Sequence, residues 1–252
     1  MNKTVLITGA TSGIGEATDK KFAHNNYNLI ITGRRRNKLA ELEKQLTAFQ
    51  VNVLPLQFDV RNLQEVKSTL SSIPEEFRNI DILINNAGLA SGLSTIDNGD
   101  YDDWEKMIDT NIKGLLYVSR EIIPLMIAKG IGHIINIGSI AGKEVYLKGN
   151  VYCATKHAVD AISKAMRIDL LPHKIKVTNI NPGAVETEFS LVRYAGDKEK
   201  AAKVYEGFQP LLATDIAEII YFAATQPVHV NINDIVVTPT AQANTVHLLK
   251  DI

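Results

Sequence analysis

The chain has 252 residues, of which 45% are hydrophobic and 22% charged, with a formal net charge of −1. That size suits one α/β domain with a sizeable core, and the near-neutral balance argues against nucleic acid or an anionic membrane surface as main partner. The single cysteine, Cys153, rules out an internal disulfide and suits a reducing compartment; no apolar run approaches the ~20 residues of a membrane span, and the first residues enter a strand pattern without a leader-like segment, so a cytoplasmic protein with no membrane contact is expected.

Short, nearly continuous apolar runs recur along the chain at Val5–Ile7, Leu29–Ile31, Val51–Leu56, Ile82–Ile84, Ile134–Ile137, Ile175–Ile180 and Ile235–Val237. Such runs fit strands buried on both faces of a parallel sheet. Between them, amphipathic patterns predict helices near 13–25, 36–49, 62–72, 102–128, 151–171 and 214–225. The alternation predicts a Rossmann-like, doubly wound, seven-stranded parallel sheet with helices on both faces, in one domain spanning 1–252. Asp100, Asp102 and Asp103 load the start of the fourth helix, where the helix dipole favours negative charge. Residues 186–210 interrupt the pattern. They are polar with helical propensity, lie beyond a strand end, and read either as a substrate lid or as a surface excursion.

The first strand runs into Gly9-Ala10-Thr11-Ser12-Gly13-Ile14-Gly15 and then a helix. Glycines there allow a tight turn and close backbone approach, and the helix N-terminus attracts a pyrophosphate. The second strand ends in Thr32-Gly33 followed by Arg34, Arg35 and Arg36, with no acidic residue. An acid there would read a free ribose 2′-hydroxyl, whereas arginine suits a 2′-phosphate, so Arg34 and Arg35 point to NADP over NAD and Arg36 to mere surface. The competing reading is a solvated basic helix start. Asp59-Val60 follows the third strand; Asp59 could accept from an adenine amino group or cap the next helix. Asn85-Asn86-Ala87-Gly88 ends the fourth strand at the topological switch point, where small residues let a ring approach and the asparagines could instead tie strands together.

Tyr152 and Lys156 are four residues apart, hence on one helix face. A phenol of pKa about 10 becomes a usable acid or base when a nearby ammonium favours its ionised form. Ser139 follows a buried strand and could hydrogen-bond a substrate carbonyl. Asn111 lies inside the fourth helix, expected to be regular, either in a structural bond or holding a water that connects Lys156 to solvent. Arg193, in the candidate lid, has the fork for a carboxylate, with Lys148 as second candidate and a surface or subunit contact as the bland alternative. Cys153 points away from Tyr152 as a packed thiol. The six histidines form no ligand pattern, so no metal is expected.

Taken together, Thr8-Gly9 to Gly15, Asn85-Asn86-Ala87-Gly88, Asn111, Ser139, Tyr152, Lys156 and Pro182-Gly183 to Thr187 resemble, in order and spacing, the short-chain dehydrogenases/reductases. The resemblance covers nearly the whole chain. It implies Tyr152 as catalytic acid/base, Lys156 lowering its pKa and binding the nicotinamide ribose, Ser139 orienting the carbonyl, Asn111 supporting a proton-relay water, and Pro182, Gly183, Val185 and Thr187 packing around the nicotinamide. The cofactor site would then comprise Gly9, Thr11, Ser12, Gly13, Ile14, Gly15, Arg34, Arg35, Asp59, Val60, Asn86, Ala87, Gly88, Tyr152, Lys156 and the 182–187 residues, and the substrate site Ser139, Tyr152 and Arg193.

A narrower set looks like the NADP-dependent 3-hydroxy acid dehydrogenases, also described as serine or L-allo-threonine dehydrogenases and malonic semialdehyde reductases. It includes Ile30 to Arg35, Asp103 to Asn111, His133 to Ser139, Thr187 to Ser190, Val192-Arg193 and Val228 to Asn233. This similarity implies a cytoplasmic homotetramer using NADP(H) on a small 3-hydroxy acid. The alternatives are a reductase of a neutral ketone, sugar or acyl thioester, and an NADP(H)-binding sensor without turnover.

Overall fold

A computed structural model describes residues 2–251. Its strands are β1 (Thr4–Ile7), β2 (Asn28–Gly33), β3 (Val53–Gln57), β4 (Ile80–Asn85), β5 (Gly132–Ile137), β6 (Ile175–Pro182), β7 (Val185–Glu186), β8 (Leu211–Leu212) and β9 (Asp234–Val237). Seven of them form one parallel sheet in the order β3-β2-β1-β4-β5-β6-β9, as expected from the apolar runs. The chain winds outward from β1 to β3, then restarts at β4 on the other side of β1. The C-terminal ends of β1 and β4 therefore flank the crevice where ligands bind in such sheets. The short β7–β8 pair, which the sequence patterns did not announce, ties together the two ends of the excursion at 186–210.

Helices cover both faces: α1 (Gly13–His24), α2 (Arg36–Thr47), α3 (Leu63–Ser71), α4 (Tyr101–Ile108), α5 (Leu115–Lys129), α6 (Asn150–Asp169), α7 (Glu188–Arg193), α8 (Lys198–Lys203) and α9 (Ala213–Ala224). Successive strand residues point to opposite faces, so each strand feeds two cores. Leu6, Ile30, Leu83, Ile134 and Val177 pack with Val66 of α3, Val118, Ile122 and Met126 of α5 and Val159 of α6. Val5, Ile7, Leu29, Ile31, Ile84 and Ile135 pack with Phe22 of α1, Leu39, Leu42 and Leu46 of α2, and Ile216 and Ile220 of α9. Each such side chain, fully buried, contributes roughly 1.5–3 kcal/mol against the entropy of ordering. Among the described residues no helix is long and apolar enough to cross a membrane.

The expected regular helix over 102–128 is broken. Residues Asp109–Gly114 form a π-helical turn between α4 and α5. The Asn111 side chain at its centre is held at both ends by another segment, accepting from Leu89 N at 2.9 Å and donating to Leu89 O at 2.8 Å, and it also donates to Thr155 Oγ1 at 3.0 Å. Helices widened in this way cluster at functional sites. Near the C-terminal edge, Asn85, Asn136 and Asn179 stand in register on β4, β5 and β6. Asn85 donates to Asn136 and Ser119, and Asn136 to Ser163, so these buried amides cross-brace the sheet under the crevice.

Candidate active site

At the carboxyl edge of the sheet lies a cleft of about 530 Å³. One wall is the β1–α1 turn. Gly9 and Gly13 have φ of +67° and +54°, a conformation open to glycine. Ser12 caps α1 without a side-chain bond, leaving the first amide N–H groups of that helix turned to an incoming anion. Gly9, Thr11, Ser12, Gly13 and Ile14 line the cleft, as do Arg34, Arg35, Asp59, Val60, Asn86, Ala87, Gly88, Pro182, Gly183, Val185 and Thr187.

Gly15 does not line it. A Cβ there would fall 2.3 Å from Gly9 O, so this glycine lets the helix pack on its own turn rather than touching a ligand, a correction to its place in the expected cofactor set. Asn86 also works backwards into the fold, donating to Thr8 O and Gly9 O at 2.9 and 3.1 Å and so shaping the turn. Asp59 is not a helix cap: Asn62 caps α3, accepting from Gln64 and Glu65 N–H. Partial burial works against ionisation of Asp59, but the hydrogen bonds and charge of Arg61 outweigh it and hold the carboxyl below its usual range. Arg34 is half-exposed, 3.9 Å from Asp59, and Arg35 donates to Thr11 O and Thr11 Oγ1 at 3.2 and 3.1 Å. Arg36 is exposed at the first position of α2, as anticipated. Unmet amides, tight glycine turns and two arginines at the end of β2 fit a dinucleotide bearing a 2′-phosphate.

The opposite wall brings Ser139, Tyr152, Lys156 and Arg193 together. Ser139 begins a short turn after β5, accepting from Ala141 N at 3.1 Å and donating to Pro182 O over a long 3.4 Å, a bond easily exchanged for a ligand. Tyr152 and Lys156 both lie on α6 and are buried. Lys156 Nζ donates to Ile137 O at 2.8 Å and sits 6.0 Å from the Tyr152 ring centre. Burial alone brings the Lys156 ammonium down to about 8. Burial likewise pushes the Tyr152 phenol up to about 12, while Arg193 and the Ser139 hydroxyl pull against it.

The sequence assigned the opposing positive charge to Lys156; in the structure Arg193 supplies it. The Arg193 guanidinium lies 4.9 Å from the Tyr152 ring centre and 5.4 Å from that of Phe189. It donates to Tyr146 Oη at 2.5 Å, and its Nε is buried without a partner among the described residues. Lys148 is exposed and does not reach the cleft. The Asn111 side chain does not line the cleft either, being committed to Leu89 and Thr155. Cys153 is 1% exposed, a packed thiol.

Several residues of this wall lie outside the site expected from the sequence. Tyr146 positions Arg193, Phe189 meets Tyr152 edge-on at 5.6 Å, and Gln242 accepts from Ala184 N at 2.8 Å. Thr245 and Leu248 line the cleft from the C-terminal segment, and Thr245 also bonds Glu144 through both its N–H and its hydroxyl. Contacts between segments so far apart leave no periodicity and no motif to read.

This geometry has known counterparts. The chain is 47% identical over 240 residues to an NADP-dependent 3-hydroxy acid dehydrogenase of Salmonella typhi, covering 95% of this chain and 96% of the relative. It is 43% identical over 250 residues to the NADP-dependent 3-hydroxy acid dehydrogenase of Schizosaccharomyces pombe, covering 98% and 96%. A solved closed form of serine dehydrogenase complexed with NADP+ superposes with a TM-score of 0.93 at 44% identity, over 99% of this chain and 100% of that one. The family model of the short chain dehydrogenases matches residues 3–197, and the chain belongs to that family.

Proposed function

We propose that this protein is an NADP-dependent oxidoreductase that interconverts small 3-hydroxy acids, of the serine, L-allo-threonine and 3-hydroxypropionate type, with their oxo acids or semialdehydes. The observation that carries the substrate class is Arg193: a guanidinium against the Tyr152 ring with one N–H unspent. A carboxylate held there puts a neighbouring hydroxyl within reach of the phenol. When bound, NADP(H) accepts or supplies the hydride. The chain's own residues do the rest. Tyr152 takes the hydroxyl proton in oxidation and returns it in reduction, Ser139 Oγ holds the carbonyl oxygen, and Lys156 supplies an ammonium beside the phenol and the cofactor ribose. Asn111, at the centre of the widened turn, supports the proton-relay water. Gly9 to Ile14 hold the pyrophosphate, Arg34 and Arg35 the 2′-phosphate, Val60 and Asp59 the adenine side, and Ala87, Gly88, Pro182, Gly183, Val185 and Thr187 the nicotinamide side.

Residues 186–210 act as a lid hinged on the β7–β8 pair. The protein acts in the cytoplasm as a homotetramer, for which exposed Leu116 and Ile127 on α5 and Ile168 on α6 offer apolar surface; a single-chain mass in light scattering would overturn that assembly. The deciding experiment for function follows NADP+ reduction at alkaline pH with L-serine, L-allo-threonine, 3-hydroxypropionate and a matched neutral alcohol, with NAD+ in parallel. Turnover of the acids with NADP+ is expected. Turnover of the neutral alcohol alone would remove the carboxylate anchor.

A further inference from the structure

The first turn of α2 is charged against its dipole. Helix N-termini favour anions, yet this one carries Arg36 and Lys38 and no acidic residue, and its cap residue, Arg35, makes no side-chain cap bond. The anion comes from the far side of the cleft. Glu188, the first residue of α7, places Oε2 3.3 Å from Arg35 NH1 and Oε1 3.2 Å from Lys38 Nζ. Each carboxylate oxygen thus meets a different cation, contributed by a segment about 150 residues away. Arg35 spends its other nitrogen on Thr11 O and Thr11 Oγ1 in the glycine-rich turn. Two cations around one carboxylate, one of them anchored by the glycine-rich turn, make a site of the charge that a phosphate monoester fills.

We propose that Lys38 joins Arg34 and Arg35 in holding the cofactor's 2′-phosphate and that Glu188 competes with that phosphate for Arg35 and Lys38, so that Lys38 and Glu188 both set the preference for NADP(H) over NAD(H). This rests on the NADP reading above. Partial burial works to raise the Glu188 pKa, but Lys38 and Arg35 outweigh it and hold the carboxyl below its usual range, keeping it an anion at neutral pH. Side-chain exposure of 45% at each of the three residues makes the pairs weak, and therefore displaceable. A phosphate monoester brings more charge and three acceptor oxygens, and it wins the competition. A dinucleotide without that phosphate leaves Glu188 in place.

The test is equilibrium titration of NADPH and of NADH, read by nucleotide fluorescence, on the full-length wild type, Glu188→Gln and Lys38→Met, with adenosine 2′,5′-bisphosphate and AMP as competitors. All three proteins should share one melting temperature, because the altered side chains are exposed. Glu188→Gln should tighten NADPH and the bisphosphate by about two- to fivefold, the scale of an exposed ion pair, and leave NADH and AMP unchanged. Lys38→Met should weaken NADPH and the bisphosphate by about three- to tenfold, a charge-assisted contact, and again spare NADH and AMP. Weaker NADPH binding by Glu188→Gln, or equal shifts for both nucleotides in either variant, would overturn the proposal. A wild-type protein that binds NADH as tightly as NADPH would sink the NADP reading itself. A wild-type preference for NADPH that neither substitution alters would sink only the assignment of Lys38 and Glu188.

Discussion

The two walls of the cleft are built on different principles. The wall formed by β1, β2 and β4 presents largely main chain to the cleft: left-handed glycines, unmet helix amides and small residues, all backed by the parallel sheet. The opposite wall presents side chains to the cleft: Tyr146 and Phe189 close on Arg193 and Tyr152, and Gln242 reaches in from the C-terminal segment to accept from Ala184 N. Main-chain recognition suits a ligand of fixed shape and changes only where a substitution moves the backbone itself. Side-chain recognition can be retuned by a single substitution that leaves the sheet untouched. Tyr152 stands where the two meet.

That contrast can be broken in order of expected size. Tyr152→Phe should lower kcat by about 10²–10⁴ while dinucleotide affinity, followed by titration, stays near wild type; a variant that still turned over at the wild-type rate would remove the phenol from the chemistry. Arg193→Met should raise KM for hydroxy acids by about 10- to 100-fold, the value of a charge-assisted bond, with little change for neutral alcohols or in thermal stability. It should also move the alkaline limb of the oxidation profile upward. Burial already raises the Tyr152 phenol to about 12 and the guanidinium opposes that rise, so its removal leaves the phenol harder to ionise. An unshifted limb, measured where chemistry limits the rate, would count against electrostatic contact between the two.

The main-chain wall should respond in the opposite way. Gly15→Ala forces a Cβ towards Gly9 O, and overpacking of this kind costs about 1–3 kcal/mol, several degrees of melting temperature, with cofactor affinity falling alongside; a variant with wild-type melting and affinity would mean that the turn yields easily.

The smallest effect tests whether that wall is optimal at all. Asp19 on α1 is fully buried, and neither carboxylate oxygen has a partner among the described residues. Burial, with Glu16 adding to it, raises its pKa well above the usual value. The folded state therefore keeps a proton that the unfolded state loses. Stability should fall as pH rises from about 4 towards the raised folded value. Asp19→Ala should flatten that fall and add about 1–2 kcal/mol at neutral pH. Denaturant midpoints across pH decide it, and an unchanged slope would mean that Asp19 finds a partner after all.

Legibility in the sequence follows the same divide. The seven strands could be read because strands covered on both faces leave runs such as Ile134-Ile135-Asn136-Ile137, and Asp100, read only for its charge near the start of α4, proves to be that helix's cap. The glycine turn and the Tyr152–Lys156 pair could be read because each is local. Arg193 could be named but not placed, since its position depends on Tyr146, 47 residues away. The charge opposing the rise of the Tyr152 phenol was assigned to Lys156 by helical spacing alone; the folded chain adds an arginine from another segment, which spacing along one helix has no means of announcing. Gly15 looked like a ligand contact because motif position does not distinguish a backbone that faces the cleft from one that faces its own helix.

The widened turn at Asp109–Gly114 has a consequence for how this protein can vary in length. A π turn holds one residue more than an α turn, so the stretch from Tyr101 to Lys129 is a helix carrying an inserted phase shift. Remove one residue from that turn and the hydrogen bonding could run without interruption, but all that follows would rotate by about 100° against all that precedes. Trp104 and Met107 pack beside the Tyr152 cluster, whereas Val118, Ile122 and Met126 pack under the sheet. Only with the extra residue do both stripes face inward at once. This segment should therefore accept changes of residue type far more readily than changes of residue count, behaving as a spacer whose length is itself part of the fold.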